Sequence, residues 1–203
     1  MKYISTRNNK TDFSAEQVLN YGLAPDGGLF IPKEIPKFSI DQINALKGKN
    51  YFDIANFILS PFLLDLFDSK TINKIIHEAY SKFDQEIVSV SNIGDNELLN
   101  LFHGPTLAFK DYAMCLLAKI YEHYLKKVDK KLVVIGATSG DTGSAAIQAF
   151  KGIDNISIFI LHPYNSISLF QRKQMTTSGA NNVFNVALNG SFDDCQNLVK
   201  KLF

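Results

Sequence analysis

The sequence has little net charge, few cysteines and no long run of apolar residues. Its 21 Lys and Arg residues nearly balance its 20 Asp and Glu residues over 203 positions. It therefore lacks the basic surface typical of proteins that bind nucleic acid or anionic membranes, and we expect small-molecule partners. No segment has the apolar length of a signal peptide or a membrane span, which predicts a cytoplasmic protein.

Cysteine is scarce as well. Cys115 and Cys195 lie far apart, and neither belongs to a CxxC or Cys/His cluster with metal-ligand spacing. We expect buried, reduced thiols and no metal site. The hydrophobic content of 46% and the charged content of 20% are typical of a globular chain with a buried core.

Residues 1–85 are predicted to form a mainly helical domain with one or two strands. Ser14 can cap a helix that Gly22 ends. The segment LAPDGGLFIP contains a turn followed by a strand-like LFI. Two amphipathic helices are expected in residues 51–67 and 69–83, and Pro61 should kink or divide the first of them.

Residues 86–203 change to alternating strands and helices. EIVSVS and ELLNLFH flank a Gly/Asn/Asp turn and predict a hairpin. The apolar segments KLVVIG, ISIFIL and VFNVAL then alternate with helical segments, a pattern that predicts an α/β fold with a parallel sheet and flanking helices. The last helix, capped by Ser191, reaches Phe203 without Gly, Asn or Pro, so we expect a truncated chain and an incomplete second domain.

The segment LFHGPTLAFKD, residues 101–111, contains the first candidate for chemistry. A Gly-Pro turn leads into a helix, and the spacing predicts that Lys110 lies one turn inside it. On the helical period, Lys110 shares a face with apolar residues, so we expect it to be buried. A lysine amine removed from water can attack a carbonyl carbon and form an imine. The alternative is that Lys110 extends along the helix to water, or pairs with Asp111 or a distant carboxylate. The apolar residues of that face are Ala113, Met114, Leu117 and Tyr121.

The segment KLVVIGATSGDTGSAA, residues 131–146, contains the second candidate. A buried strand enters a loop of small residues that opens a helix, where backbone N–H groups and the hydroxyls of Thr138, Ser139 and Thr142 can bind an anion such as a carboxylate. The loop matches neither the dinucleotide fingerprint nor the Walker loop. The alternative is a tight turn that Ser139 or Asp141 merely caps.

A third segment, SISLFQRKQMTT, places Arg172 and Lys173 side by side. Both could bind a phosphate, but a solvated basic helix face is the favoured interpretation.

Taken together, these segments resemble the threonine synthase family along the whole chain. The matching segments are YISTRNN, GLAPDGGLFIP, LFHGPTLAFKDYA, GATSGDTGSAA, QMTT and NGSFDDCQ. The resemblance implies a fold type II pyridoxal-phosphate enzyme, similar to the tryptophan synthase β subunit, that converts O-phospho-L-homoserine and water into L-threonine and phosphate. It also implies a monomer or homodimer.

The resemblance assigns roles to individual residues. Lys110 would bind pyridoxal 5′-phosphate covalently and later act as acid and base. The substrate carboxylate would be bound by Thr138, Ser139, Gly140 and Thr142. Asp141 would lie near the cofactor ring, where related enzymes carry Asn.

Two departures from the family pattern matter. Asn8 stands where the family usually has Gly, at a position that we expect to be peripheral. The loop that binds the cofactor phosphate follows later in the family, so we expect this chain alone to bind cofactor poorly and to be inactive. The alternatives are another fold type II activity, such as a serine/threonine dehydratase, or a non-catalytic family-like fragment.

Overall fold

A computed structural model describes residues 1–84 and 86–202 of the chain. It divides into two compact units, Met1–His77 and Glu78–Phe203. The predicted domain boundary after residue 85 adjoins a position outside the described ranges, and so does the predicted end of the last helix at Phe203. Both stay predictions.

The first unit combines helices with a small antiparallel sheet in the strand order β2-β1-β3. We expected one or two strands, and there are three. The unexpected strands are short, and short segments carry too few residues to display an alternating pattern. The elements are β1 (Lys2–Ser5), β2 (Phe13–Ser14), α1 (Ala15–Tyr21), β3 (Phe30–Pro32), α2 (Ile40–Asn44), α3 (Tyr51–Leu63) and α4 (Ser69–Tyr80), in which the boundary between the units falls.

Helix boundaries in this unit follow local capping chemistry. The hydroxyl of Ser14 accepts from the backbone N–H of Gln17, and the Gln17 side chain accepts from the backbone N–H of Ser14. Gly22 ends α1 at a φ of 69°, as predicted. Pro61 does not divide α3, because it lies in the last turn and the helix continues only to Leu63.

Two of the sequence motifs meet in the first unit. The carboxylate of Asp26 accepts from the hydroxyl of Ser5 at 2.7 Å and from the backbone N–H of Gly28 at 2.9 Å. These bonds, that to Ser5 above all, lower the pKa of Asp26. The guanidinium of Arg7 donates to the backbone carbonyl of Asp26 at 3.0 Å. The YISTR and PDGG segments therefore form one hydrogen-bonded structure, with Asn8 exposed beside it.

The second unit begins with an antiparallel hairpin and continues as alternating helices and strands. The hairpin, the order of the elements and their type agree with the sequence prediction. The elements are β4 (Ser89–Ile93), β5 (Asn96–Asn100), α5 (Lys110–Val128), β6 (Leu132–Ala137), α6 (Asp141–Phe150), β7 (Ile156–Pro163), α7 (Leu169–Thr176), β8 (Val183–Leu188) and α8 (Phe192–Leu202).

Strands β6, β7 and β8 form a parallel sheet with β7 in the centre. Ile156, Ile158 and Ile160 alternate along β7 and so lie on one face of the sheet, where they are at most 3% exposed. Cys115 and Cys195 are buried free thiols, as predicted, and burial raises the pKa of Cys115 to about 11. Within the described ranges, no helix is both long and apolar enough to cross a membrane.

The loop between α6 and β7 is fastened by one side chain at the start of β8. The amide of Asn182 donates to the carbonyls of Phe150 and Ile156, at 3.0 and 2.9 Å, and to that of Ile153 at 3.3 Å. Its oxygen accepts from the backbone N–H of Gly152 at 2.8 Å. Asn182 thus connects the end of α6, the loop and the start of β7 through four backbone groups.

We expect Asn182→Ala to lower the free energy of unfolding by about 2 kcal/mol, since each lost hydrogen bond contributes about 0.5–1.5 kcal/mol. Urea unfolding followed by circular dichroism measures the change. Asn181→Ala is the matched control, because Asn181 is exposed. Equal stability of the two variants would show that the bonds of Asn182 contribute nothing.

Candidate functional site

The turn before Lys110 is organised by a buried carboxylate. Asp111 is 0% exposed, and its two oxygens accept from the backbone N–H and the hydroxyl of Thr106, each at 2.7 Å. A Cβ on Gly104 would lie 2.5 Å from the Asp111 side chain. The close approach of Asp111 therefore requires glycine at position 104. The Gly-Pro-Thr turn packs against Asp111, the residue after Lys110.

Lys110 lies at the first position of α5, not one turn inside a helix as predicted. The helix starts later because residues 104–108 form turns held by Asp111, and Leu107 among them has a φ of 62°. The carboxylate that pairs with Lys110 belongs to Asp141 and not to Asp111. The Nζ atom of Lys110 lies 3.8 Å from Oδ2 of Asp141 and 4.8 Å from the centre of the Phe109 ring.

The Lys110 face is only partly buried and not fully as predicted, since Met114 and Tyr121 are half-buried. Helix α5 buries the face that contains Asp111, Cys115 and Ala118, whereas Ala113 and Leu117 on the face of Lys110 are exposed. The Lys110 side chain is 29% exposed. Apolar residues occur on more than one face of α5, so the helical period alone could not identify the covered one.

The loop between β6 and α6 is shaped by Thr138. Its side chain is buried, and its hydroxyl accepts from the backbone N–H groups of Gly140 and Gly143, at 3.0 and 2.8 Å. Gly140 has a φ of 152°, in the region that favours glycine. The predicted substrate-binding residues Thr138 and Gly140 are thus engaged within the loop itself.

Ser139 and Thr142 differ from these two residues. Ser139 is exposed and Thr142 half-buried. Within residues 1–84 and 86–202, the backbone N–H groups of Ser139, Asp141 and Thr142 donate to no acceptor. Three donors at the N-terminus of a ten-residue helix can bind an anion.

The structure therefore brings the two predicted segments together through Lys110 and Asp141. Arg172 and Lys173 of the third segment are exposed on α7, as the solvated-face interpretation expected. Sequence reasoning missed Gln171, whose amide donates to Oδ1 of Asp141. The pattern Ser168-x-x-Gln171, typical of a capped helix start, would have located the beginning of α7 and this glutamine.

Comparison with known proteins finds similarity to threonine synthases. Residues 2–80 match the family described as the threonine synthase N terminus. The whole chain aligns with the threonine synthase of Pseudomonas aeruginosa at 44% identity, covering 44% of that protein. The crystal structure of PLP-bound threonine synthase from Brucella melitensis matches with a TM-score of 0.93 and 45% identity, over 100% of this chain and 44% of that one. The chain is similar to the threonine synthases over its whole length.

More distant members of the family agree. The threonine synthase of Escherichia coli is 36% identical over the whole chain, which covers 46% of that protein, and the yeast enzyme structure matches with a TM-score of 0.91. The resemblance predicted from the motifs and the α/β fold with its parallel sheet are confirmed. The chain spans less than half the length of these threonine synthases.

The buried Asp111 turn generates a prediction about stability. Thr106→Val keeps the shape of the side chain but removes the hydroxyl, which leaves one oxygen of a fully buried carboxylate without its donor. We expect a loss of about 1–3 kcal/mol in the free energy of unfolding, measured by urea denaturation. Thr11→Val, at an exposed threonine, should change it little. A loss no greater than in this control would contradict the role assigned to Thr106.

Proposed function

We propose that the protein containing this chain is a threonine synthase that converts O-phospho-L-homoserine and water into L-threonine and phosphate. The observation that carries the proposal is the pairing of the two motif segments. The Nζ atom of Lys110, at the start of α5, lies 3.8 Å from the carboxylate of Asp141, at the start of α6. The activity is proposed for the protein that contains the chain, because the relatives are more than twice as long.

The residues present fit pyridoxal 5′-phosphate as a cofactor. Among the described residues, no group accepts a hydrogen bond from Nζ of Lys110, and its side chain is partly exposed. The amine can therefore reach an aldehyde carbon of a bound molecule. When bound, pyridoxal phosphate supplies an electron sink for carbanion chemistry. The Brucella melitensis relative is described as PLP-bound, which supports the same cofactor here.

Lys110 has two proposed tasks. It would hold the cofactor covalently through Nζ. As a free amine, it would take a proton from the substrate carbon and return protons at later steps. Asp141 then holds the lysine ammonium close to the reacting atoms, since a carboxylate stabilises a nearby cation. In this proposal Asp141 serves the lysine as well as the cofactor ring.

The loop of residues 138–142 is proposed to bind the substrate carboxylate. The hydroxyls of Ser139 and Thr142 and the unengaged backbone N–H groups supply the donors. Thr138 contributes indirectly, because its hydroxyl holds the loop in shape. Gly140 contributes by allowing a backbone conformation that other residues rarely adopt. The cytoplasmic location and the monomeric or homodimeric state predicted from the sequence belong to the same proposal.

We expect Lys110→Ala to abolish the near-visible absorbance of the lysine-bound cofactor in the purified protein, because no other residue is proposed to hold it covalently. Lys131→Ala, at an exposed lysine, should retain the absorbance. Unchanged absorbance in Lys110→Ala would contradict the assignment of Lys110.

An activity assay distinguishes the alternative functions. A synthase releases phosphate from O-phosphohomoserine, and a dehydratase releases ammonia from threonine and serine. Release of neither product would indicate a non-catalytic protein.

Ser139→Ala and Thr142→Val should weaken substrate binding far more than cofactor binding. We expect the KM for O-phosphohomoserine to rise about tenfold, since a hydrogen bond to a charged group contributes about 1.5–3 kcal/mol. Thr176→Val is the control, because that hydroxyl bonds to a carbonyl of its own helix. If cofactor affinity, followed by absorbance titration, fell as much as substrate affinity, the loop would serve the cofactor phosphate instead.

A further inference from the structure

We propose that Gln171 is a positioning residue that holds the carboxylate of Asp141 toward Lys110. The inference rests on the proposed function and adds to it a residue on α7, outside both motif segments. Among the described residues, no hydrogen bond joins Gln171 to Lys110 or to the unengaged N–H groups of the loop. It acts through Asp141.

The two oxygens of Asp141 have different partners. Oδ1 accepts a hydrogen bond from Nε2 of Gln171, while Oδ2 lies 3.8 Å from Nζ of Lys110. The Asp141 side chain is 51% exposed, and a carboxylate so open to water has alternative rotamers in solvent. The bond from Gln171 fixes one oxygen and thereby directs the other at the lysine.

The amide of Gln171 is itself oriented. Its oxygen accepts from the hydroxyl of Ser168 at 3.0 Å, and its backbone N–H donates to the same hydroxyl at 3.3 Å. Because the amide oxygen is already paired with Ser168, the NH₂ group faces Asp141, which as a carboxylate can only accept. The capped start of α7 is thus connected to the start of α6 by consecutive hydrogen bonds.

Gly140 makes room for this arrangement. A Cβ at position 140 would overlap the side-chain amide of Gln171. The absence of a side chain at Gly140 therefore lets the amide lie against the loop and reach the neighbouring carboxylate. The loop glycine and the α7 glutamine fit one another sterically as well as through Asp141.

The test is the pH midpoint of the near-visible absorbance of the lysine-bound cofactor in the purified protein. A carboxylate close to the nitrogen favours the protonated form. Asp141→Asn should therefore lower the midpoint by about one pH unit. Gln171→Met has a similar length and no donor, so Asp141 keeps its charge but can turn toward water. We expect a shift in the same direction of about half a unit.

A double variant distinguishes positioning from a general structural effect. If Gln171 acts only through Asp141, adding Gln171→Met to Asp141→Asn should move the midpoint no further. Gln148→Met is the matched control, since it makes the same substitution at a half-buried glutamine of α6, and its midpoint should equal that of the unaltered protein. Melting temperatures of all variants show whether lost stability accompanies any shift.

An unmoved midpoint in Gln171→Met, or an equal shift with and without Asp141→Asn, would overturn the inference. Should Gln171→Met fail to fold, Ser168→Ala removes the group that orients the amide and should lower the midpoint by a smaller amount. Failure of the proposed function has a different signature, because Lys110→Ala would then keep the absorbance. If Lys110→Ala loses the absorbance but Gln171→Met leaves the midpoint unchanged, only the positioning role of Gln171 is contradicted.

Discussion

A carboxylate without access to water must be hydrogen-bonded, and this requirement at Asp111 determines the start of α5. Both oxygens of Asp111 are satisfied by Thr106, which forces the preceding chain into a tight turn against the helix. A buried charge without partners costs several kcal/mol, so any other turn conformation would be strongly disfavoured. Lys110 is covalently adjacent to this fixed residue and precedes it at the exposed start of the helix. Its position therefore depends on a neighbour that takes no part in the proposed chemistry.

The loop before α6 is also held by a buried polar side chain, here the neutral hydroxyl of Thr138. Thr138 is 2% exposed, and its hydroxyl accepts from two backbone N–H groups of the loop. Parallel strands align their carboxyl ends at one edge of a sheet, so the loops after β6 and β7 meet there. Because these loops lie side by side, the start of α7 is close to the start of α6, and Gln171 donates to Asp141. Buried polar side chains thus shape both segments, while the exposed polar groups stay available for ligands.

The order and type of the elements in the second unit could be predicted from the sequence, since long apolar strands and amphipathic helices have strong periodicity. The capping at Ser14 and Ser191 could also be predicted, because it depends on adjacent residues. The start of α5 could not. It depends on a contact between Asp111 and Thr106 that no helical pattern encodes. The contact of Gln171 could not be predicted for a similar reason, since its partner Asp141 is 30 positions away in the sequence.

The charge of Asp141 favours a carboxylate over a phosphate as the anion of the proposed site. The start of α6 offers unengaged N–H groups, which would attract any anion. Asp141, however, places a negative charge at the same helix start, and repulsion grows with the charge of the incoming group. A phosphate dianion is repelled about twice as strongly as a carboxylate monoanion at the same distance. Gln171 donates to one oxygen of Asp141 and Lys110 lies beside the other, and both partners reduce the repulsion between Asp141 and an incoming anion. The acidic residue at this helix start and its two partners therefore support the proposed role of the loop in binding a substrate carboxylate.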